Sequence, residues 1–76
     1  MDRQGIKDYI GSRVKMFREN RNLTQRELGG MLEPRRSVSM ISGIELGTQN
    51  VDLYLAYQIA VALKIELTDL LPRVGK

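Results

Sequence analysis

The 76-residue sequence contains no cysteine and no histidine. Their absence excludes thiol nucleophiles, imidazole bases and disulfides, and it removes the usual ligands of a zinc ion. The carboxylates are scattered along the chain, with no phosphate-cradling loop beside them. We therefore expect a protein that is not an enzyme, with no metal site, no cofactor and no evident small-molecule ligand. The lack of disulfides also permits a reducing cytoplasm.

Long apolar runs are lacking as well. No stretch approaches the roughly 20 residues of a membrane span, and no signal-peptide core is present, so we expect no membrane partner. The two prolines, Pro34 and Pro72, stand where helices should stop. β-Branched residues never alternate over the length of a strand, and the sequence therefore predicts an all-α protein.

The residues that are present predict one small basic domain. Hydrophobic residues make up 42% of the chain, which is enough for one compact core. We expect a single domain over residues 1–76 with flexible ends at residues 1–5 and 73–76. Residues 1–36 hold nine Lys or Arg and five Asp or Glu, which gives this segment a net charge of +4, whereas the whole chain has a net charge of +3. This basic half indicates a polyanion partner, although an ordinary excess of surface cations explains it equally well.

Apolar periodicity and capping residues predict five helices. Thr24 and Glu27 form the pattern of a capping box at the start of the second helix, whose Leu28, Met31 and Leu32 should face inward. Ser37 should cap the start of the third helix, and Gly47 should end it. The predicted helices run from about Ile6 to Arg21, from Thr24 to the turn at 33–36, from Ser37 to Gly47, from a cap at Asn50 to Lys64, and from Leu67 to Leu71.

Four short segments combine these caps and apolar positions in a recognisable order. They are residues 13–18, the run Thr24-Gln25-x-x-Leu28, the run Ile41-Ser42-x-Ile44-Glu45-x-Gly47, and residues 59–65 followed by Leu70-Leu71. In order and spacing they resemble the helices of the lambda-repressor-like (Cro/C1-type) helix-turn-helix DNA-binding family. The resemblance implies an all-α, compact five-helix domain in which helices 2 and 3 form the helix-turn-helix. It also implies a cytoplasmic protein, encoded by a bacterium or a phage.

One short run of residues indicates a subgroup within this family, and one connecting segment differs from the family pattern. Residues 41–45 are most similar to the controller proteins of restriction–modification systems, which as a group are small dimers that regulate their own operon. Family members have a shorter connection between the leucine of helix 2, here Leu28, and the isoleucine of the recognition helix, here Ile41. The longer connection either extends helix 3 backwards or bulges outwards.

The resemblance and the basic turn together indicate a set of DNA-contacting residues. Gln25 matches a phosphate contact at the start of helix 2, and the other matched positions face the major groove or follow the recognition helix. Each also has a plainer interpretation as a surface, turn or loop residue. The predicted DNA-binding residues are Gln25, Arg35, Arg36, Ser37, Val38, Ser39, Ser42, Gly43, Thr48, Gln49 and Asn50.

The third helix has an unusual composition for a recognition helix. It contains no Arg, Lys, Asn or Gln between Ser37 and Gly47, so strong bidentate contacts with bases are unavailable from it. Serine hydroxyls and a valine methyl group remain to read base edges. Part of the sequence specificity must therefore come from neighbouring residues such as Arg35 and Arg36, or from the shape of the DNA.

Two further sets of residues are assigned structural or assembly roles. Arg18 and Glu45 match a family pair that forms an internal salt bridge. An apolar stripe on helix 4 and the last helix lies outside the predicted core face. We interpret the stripe as a homodimer interface, with covering of the small core as the alternative. The predicted interface residues are Tyr54, Tyr57, Val61, Leu67 and Leu70.

These observations favour a sequence-specific transcriptional regulator. We expect a homodimer that binds a palindromic operator in double-stranded DNA and controls its own operon. The alternative belongs to another class: a protein-interaction module, of the antitoxin or coactivator kind, that uses the helix-turn-helix scaffold to bind another protein.

Overall fold

The computed structural model describes residues 1–74 and contains four α-helices followed by one 3₁₀ helix. This part of the chain contains no strand, as the sequence predicts. The fifth helix differs from the expectation because it is a single 3₁₀ turn, and Leu71 after it is already extended ahead of Pro72. The elements are α1 (Arg3–Asn20), α2 (Gln25–Gly30), α3 (Val38–Leu46), α4 (Leu53–Leu63) and the 3₁₀ helix (Leu67–Leu70).

The N-terminal end is more ordered than expected. The carboxylate of Asp2 accepts a hydrogen bond from the Gly5 N–H at 2.7 Å and caps α1. Gln4 then donates to the Gly47 carbonyl at 2.9 Å, which ties this end to the exit of α3. Residues 3–5, which belong to the segment predicted to be flexible, are thus helical. Residues 75 and 76, part of the other predicted flexible end, lie outside the described residues.

Local caps fix the ends of the two helices of the helix-turn-helix. The hydroxyl of Thr24 accepts from the Glu27 N–H at 3.0 Å, and the Glu27 carboxylate accepts from the Thr24 N–H at 2.8 Å, so the capping box is complete. Ser37 caps α3 through its hydroxyl, which accepts from the Met40 N–H at 3.1 Å. Gly47 ends α3 with a left-handed φ of 78°. All three predicted caps are confirmed.

The cap of α4 is Asp52 and not Asn50. The Asp52 carboxylate accepts from the Leu55 N–H at 2.8 Å, and α4 begins at Leu53. A carboxylate at this position also interacts favourably with the positive end of the helix dipole. Asn50 consequently lies in the loop between α3 and α4, where its side chain is exposed and has no capping role.

The core lies between α1, α3 and α4 and is closed at one end by the 3₁₀ helix. Its largest fully buried side chains come from every helix and are Val14, Leu28, Ile41, Ile44, Ile59, Leu63 and Leu70. Gly11 on α1 lies against the backbone carbonyls of Ile44 and Glu45, so α1 and α3 cross with almost no space between their main chains. This close crossing fixes the orientation of α3 relative to the rest of the domain.

The long connection between α2 and α3 bulges outwards and leaves α3 unextended. The Arg36 N–H donates to the Gly29 carbonyl at 2.9 Å, and the Gln58 side-chain amide on α4 donates to the Glu33 carbonyl. The connection is therefore attached to both α2 and α4. Because α2 already ends at Gly30, Met31 lies in this connection and is 51% exposed. The expectation that Met31 faces the core was wrong.

No helix formed by residues 1–74 combines the length and the hydropathy that crossing a bilayer requires.

Candidate nucleic-acid interface

One face of α3 is open to solvent along its N-terminal half. Ser37, Val38 and Ser39 are exposed, and Ser42 is half-buried one turn further on. The opposite face carries the buried Ile41 and Ile44. The four small side chains predicted to read bases thus lie on the solvent side of the helix, with nothing between them and an approaching duplex.

The start of α2 lies beside this open face. Gln25 and Ser42 line one depression, together with Lys15 of α1 and Leu46 of α3. Arg26 lines a second depression with Ser37 and Val38. The first two residues of α2 therefore face different parts of α3. Neither Lys15 nor Arg26 is among the DNA-binding residues predicted from the sequence. Arg26 adjoins Gln25 in a predicted first turn and could have been included, whereas the position of Lys15 depends on how α1 packs.

Beneath the open face, Arg18 and Glu45 join α1 to α3. The guanidinium donates from Nε to Glu45 Oε2 at 2.6 Å and from Nη2 to Oε1 at 3.0 Å, and Nη1 donates to the Leu23 carbonyl at 2.8 Å. The hydrogen bond with Glu45 raises the pKa of Arg18 above its ordinary value, although burial of the guanidinium opposes this. The only carboxylate of α3 is thereby paired with a cation.

Gln25 belongs to the same network. Its side-chain amide donates to Glu45 Oε1 at 3.0 Å, and its side chain is half-buried. One of the two N–H donors of the amide is therefore engaged with a carboxylate. The second N–H donor can meet a phosphate while the bond to Glu45 is kept.

The loop after α3 folds back over Gly43. The N–H groups of Thr48 and Gln49 both donate to the Gly43 carbonyl, at 2.9 and 3.3 Å. A methyl group on Gly43 would overlap the Gln49 side chain. Gly43 is consequently buried, and the expectation that it faces the groove was wrong: it accommodates the loop instead. The loop residues Thr48, Gln49 and Asn50 are all exposed at the far end of α3.

The basic residues of the long connection lie at the other end of α3. Arg35 is exposed, and its guanidinium lies against Gly30 at the end of α2. Arg36 is half-buried, and its Nε atom is buried without a hydrogen-bond partner. Exposed polar or cationic residues therefore flank the open face of α3 at both of its ends.

A separate apolar surface lies on α4. Tyr54, Tyr57 and Val61 are 60, 56 and 58% exposed, and with Met31 they line a depression of about 430 Å³. We call these four residues the α4 stripe. Leu67 is half-buried. Leu70 is fully buried in the core, because the 3₁₀ helix packs against α1 and α4, so its assignment to an interface was wrong.

Residues 14–70 match the sequence pattern of the family described as "Helix-turn-helix". The chain belongs to the helix-turn-helix family. The matched segment spans the C-terminal part of α1 from Val14 onwards, together with α2, the long connection, α3, α4 and the 3₁₀ helix. The resemblance stated from the sequence is confirmed at the level of the family, and the lambda-repressor-like fold is confirmed with it.

Three solved structures are similar to this helix-turn-helix chain. The restriction–modification controller protein C.AhdI from Aeromonas hydrophila is 28% identical, with a TM-score of 0.82 over 92% of this chain and 99% of its own. The clp gene regulator ClgR from C. glutamicum is 26% identical, with a TM-score of 0.77 over 84% of this chain and 80% of its own. The DNA-binding domain of BldD is 17% identical, with a TM-score of 0.82 over 95% and 100%, and shares the fold. No curated protein matches the sequence.

The helix-turn-helix chain thus has the fold of DNA-binding regulators. Two of its structural neighbours are described as a controller protein and a gene regulator, and the third as a DNA-binding domain. These relatives agree with the expectation that the chain is not an enzyme.

Proposed function

We propose that this protein is a sequence-specific transcriptional regulator that binds a palindromic operator as a homodimer. The observation that carries the proposal is the open face of α3. Its small polar side chains are exposed, and the one carboxylate of the helix, Glu45, is paired with Arg18 and Gln25. With its own carboxylate paired, α3 can enter a groove lined by phosphates.

The recognition helix would read bases with small groups. Hydroxyls of Ser37, Ser39 and Ser42 can donate to or accept from base edges, and the Val38 methyl groups can contact a thymine methyl. Their short reach requires α3 to lie deep in the major groove. Because none of these side chains makes a bidentate contact, the shape and deformability of the operator would contribute a large share of the specificity.

The ends of α3 would hold the DNA backbone. Arg35 and Arg36 are assigned to phosphates at its N-terminal end, and Thr48, Gln49 and Asn50 to the backbone at its C-terminal end. Asn50 is available for this role because Asp52 caps α4. Gln25 is assigned to a phosphate near the start of α2, which the second N–H donor of its amide can reach while the first donates to Glu45.

The α4 stripe is the proposed homodimer interface, with Leu67 at its margin. Four large apolar side chains that are each more than half exposed are unusual on a small domain, and tyrosines suit an interface because they combine an apolar ring with a polar hydroxyl. A two-fold dimer would present its two α3 helices to half-sites about 34 Å apart, or a multiple of that distance. The similarity to C.AhdI supports control of its own operon as the physiological role.

Selection of bound duplexes from a random pool tests this proposal. Enrichment of one palindrome is the expected result and would establish both sequence specificity and two-fold symmetry. Sedimentation of the free protein at protein concentrations of about 1–10 µM should show a dimer. A stable monomer that enriches no sequence would contradict the proposal.

That second outcome would favour the alternative of a protein-interaction module. The α4 stripe is the feature that supports this alternative, since a partner of a different kind could cover the same tyrosines. In the proposed regulator the open face of α3 binds DNA, and in the protein-interaction module it does not. A measurement of DNA binding therefore distinguishes the two functions.

A further inference from the structure

We infer that Arg26, Arg35 and Arg36 together form one binding site for a single phosphate group of the DNA backbone. The inference rests on the proposed function and adds to it a third residue, Arg26, and a common ligand. The three side chains line one depression of about 430 Å³ at the N-terminal end of α3, which Ser37 and Val38 complete.

The backbone around this depression is fixed from two sides. The Arg36 N–H is bonded to the Gly29 carbonyl, and the Glu33 carbonyl accepts from Gln58 on α4. The Arg35 guanidinium lies against Gly30. Its Nη2 atom is 3.4 Å from the position that a Cβ atom would occupy at Gly30. The connection therefore places Arg35 and Arg36 at the same depression as Arg26 of α2.

Within residues 1–74, no carboxylate lines the depression and none of the three arginines forms an ion pair. In the same part of the chain, the Nε atom of Arg36 is buried without a hydrogen-bond partner. An unpaired donor of this kind costs free energy, so a movement of the Arg36 side chain towards a phosphate would gain a hydrogen bond.

A phosphate oxygen is the acceptor that fits these donors. Guanidinium groups bind phosphate through two parallel N–H donors each, and several of them can share one phosphate. The N–H groups of Val38 and Ser39, in the first turn of α3, add the positive end of a nine-residue helix. Such a site contacts no base, so it should contribute equally to operator and non-operator binding.

Substitutions of the arginines that line the depression, with one matched control, test the site in the 76-residue chain by fluorescence anisotropy at several salt concentrations. Arg26→Gln should weaken binding to the selected operator and to an unrelated duplex by the same factor, about tenfold. It should also reduce the slope of affinity against salt concentration by about one. Arg73→Gln removes the same charge from an exposed position outside the depression and serves as the matched control.

A shared phosphate has two further consequences. Arg26→Gln and Arg36→Gln should be non-additive, because either change already weakens the same contact. A neutral methylphosphonate is placed at successive positions in the operator. At one position per half-site it should weaken wild-type binding and have little further effect on Arg26→Gln, whereas at the other contacted phosphates it should weaken both proteins alike. Binding of Arg26→Gln equal to that of Arg73→Gln, or additive effects with no such position, would overturn the inference while leaving DNA binding intact.

The source of the phosphate group is tested in the same assay. Inorganic phosphate at millimolar concentration should compete only weakly with DNA, because it is a single mobile anion that is not linked to the other phosphates that the protein binds. Tight binding of inorganic phosphate that persists in the presence of DNA would assign the depression to a free anion and would overturn the inference. Failure of the wild-type protein to bind any duplex would contradict the proposed function as well.

Discussion

Arg18 on α1 and Glu45 on α3 form a two-point ion pair, with N···O distances of 2.6 and 3.0 Å. The Glu45 side chain is 4% exposed, and the Arg18 side chain is 10% exposed. The pair therefore sits between the core and the open face of α3, and it sets the angle at which α3 is presented. We regard it as the structural support of the proposed DNA-binding surface.

Removal of Arg18 should severely destabilise the domain. Arg18→Ala leaves the Glu45 carboxylate buried without its cation, at a cost of about 3–5 kcal/mol, which is comparable with the stability of a core of this size. Urea denaturation followed by circular dichroism measures the loss. Glu19→Gln is the control, because Glu19 is 57% exposed and 4.0 Å from Arg18, and its stability should change by less than about 1 kcal/mol.

This ion pair should be insensitive to ordinary changes of pH. Because hydrogen bonding to Glu45 raises the pKa of Arg18, its stabilising effect is fully present below the pKa of arginine in the unfolded chain. It is lost only as the pH rises through the still higher pKa of the folded state. The cost of Arg18→Ala should therefore be the same at about pH 7 and about pH 9. A cost that falls steeply between them would contradict this account of the pair.

Substitutions of Asp52 and Asn50 should distinguish the residue that caps α4 from a residue that contacts DNA. Asp52→Ala removes the cap of α4 and should lower the free energy of unfolding by about 1 kcal/mol. Asn50→Ala should leave stability within about 0.5 kcal/mol of wild type and should weaken DNA binding. Thermal denaturation and anisotropy measure the two properties. The opposite pattern, with Asn50→Ala the less stable variant, would show that Asn50 is the cap.

Gly11 and Gly5 should respond in opposite directions to the same substitution. Gly11→Ala places a methyl group against the carbonyls of Ile44 and Glu45, which are backbone atoms and cannot move aside cheaply, so we expect a loss of about 1–3 kcal/mol. At Gly5 the nearest groups are the flexible Met1 side chain and the carboxylate of the exposed Asp2, and both can shift by a few tenths of an ångström. Gly5→Ala should be neutral or stabilising by up to about 1 kcal/mol, since alanine favours the helix. Equal effects in urea denaturation would argue against the close crossing of α1 and α3.

Val61 should be necessary for the homodimer. Val61→Glu introduces a charge into the α4 stripe, and burial of that charge at an interface without a partner is costly. We expect a monomer in sedimentation velocity at concentrations where the wild type is a dimer. Leu53→Glu is the matched control, because Leu53 is also on α4 and is 72% exposed but does not line the depression of the stripe. A dimer that survives Val61→Glu would place the interface elsewhere.

The features predicted correctly from the sequence are those that depend on neighbouring residues. Thr24 and Glu27 cap α2 by bonds that span three residues, and Ser37 caps α3 in the same way. Asn50 and Asp52 are both good capping residues two positions apart, and local sequence does not decide which one precedes α4. That choice follows from how the apolar face of α4 docks on the core.

The predictions that failed depend on contacts between distant segments. Met31 has the spacing of a core residue, but α2 ends before it because the connection turns back at Gly29. Leu70 was assigned to the surface although the 3₁₀ helix buries it against α1 and α4. Gly43 lies beneath Gln49 because the following loop folds over it. Arg26 lines the same depression as Arg35 and Arg36 because the connection between α2 and α3 turns back towards α2.

The most direct test of the account compares the DNA sequences selected by two proteins. Wild type and Ser39→Ala are each used to select duplexes from the same random pool. Ser39 lies on the open face of α3 and has no structural hydrogen bond from its side chain within residues 1–74, so the fold should be preserved. We predict that the wild type enriches one palindrome and that Ser39→Ala changes the preferred base at symmetric positions of it. The same palindrome for both proteins, or none for the wild type, would contradict recognition of DNA by this face of α3.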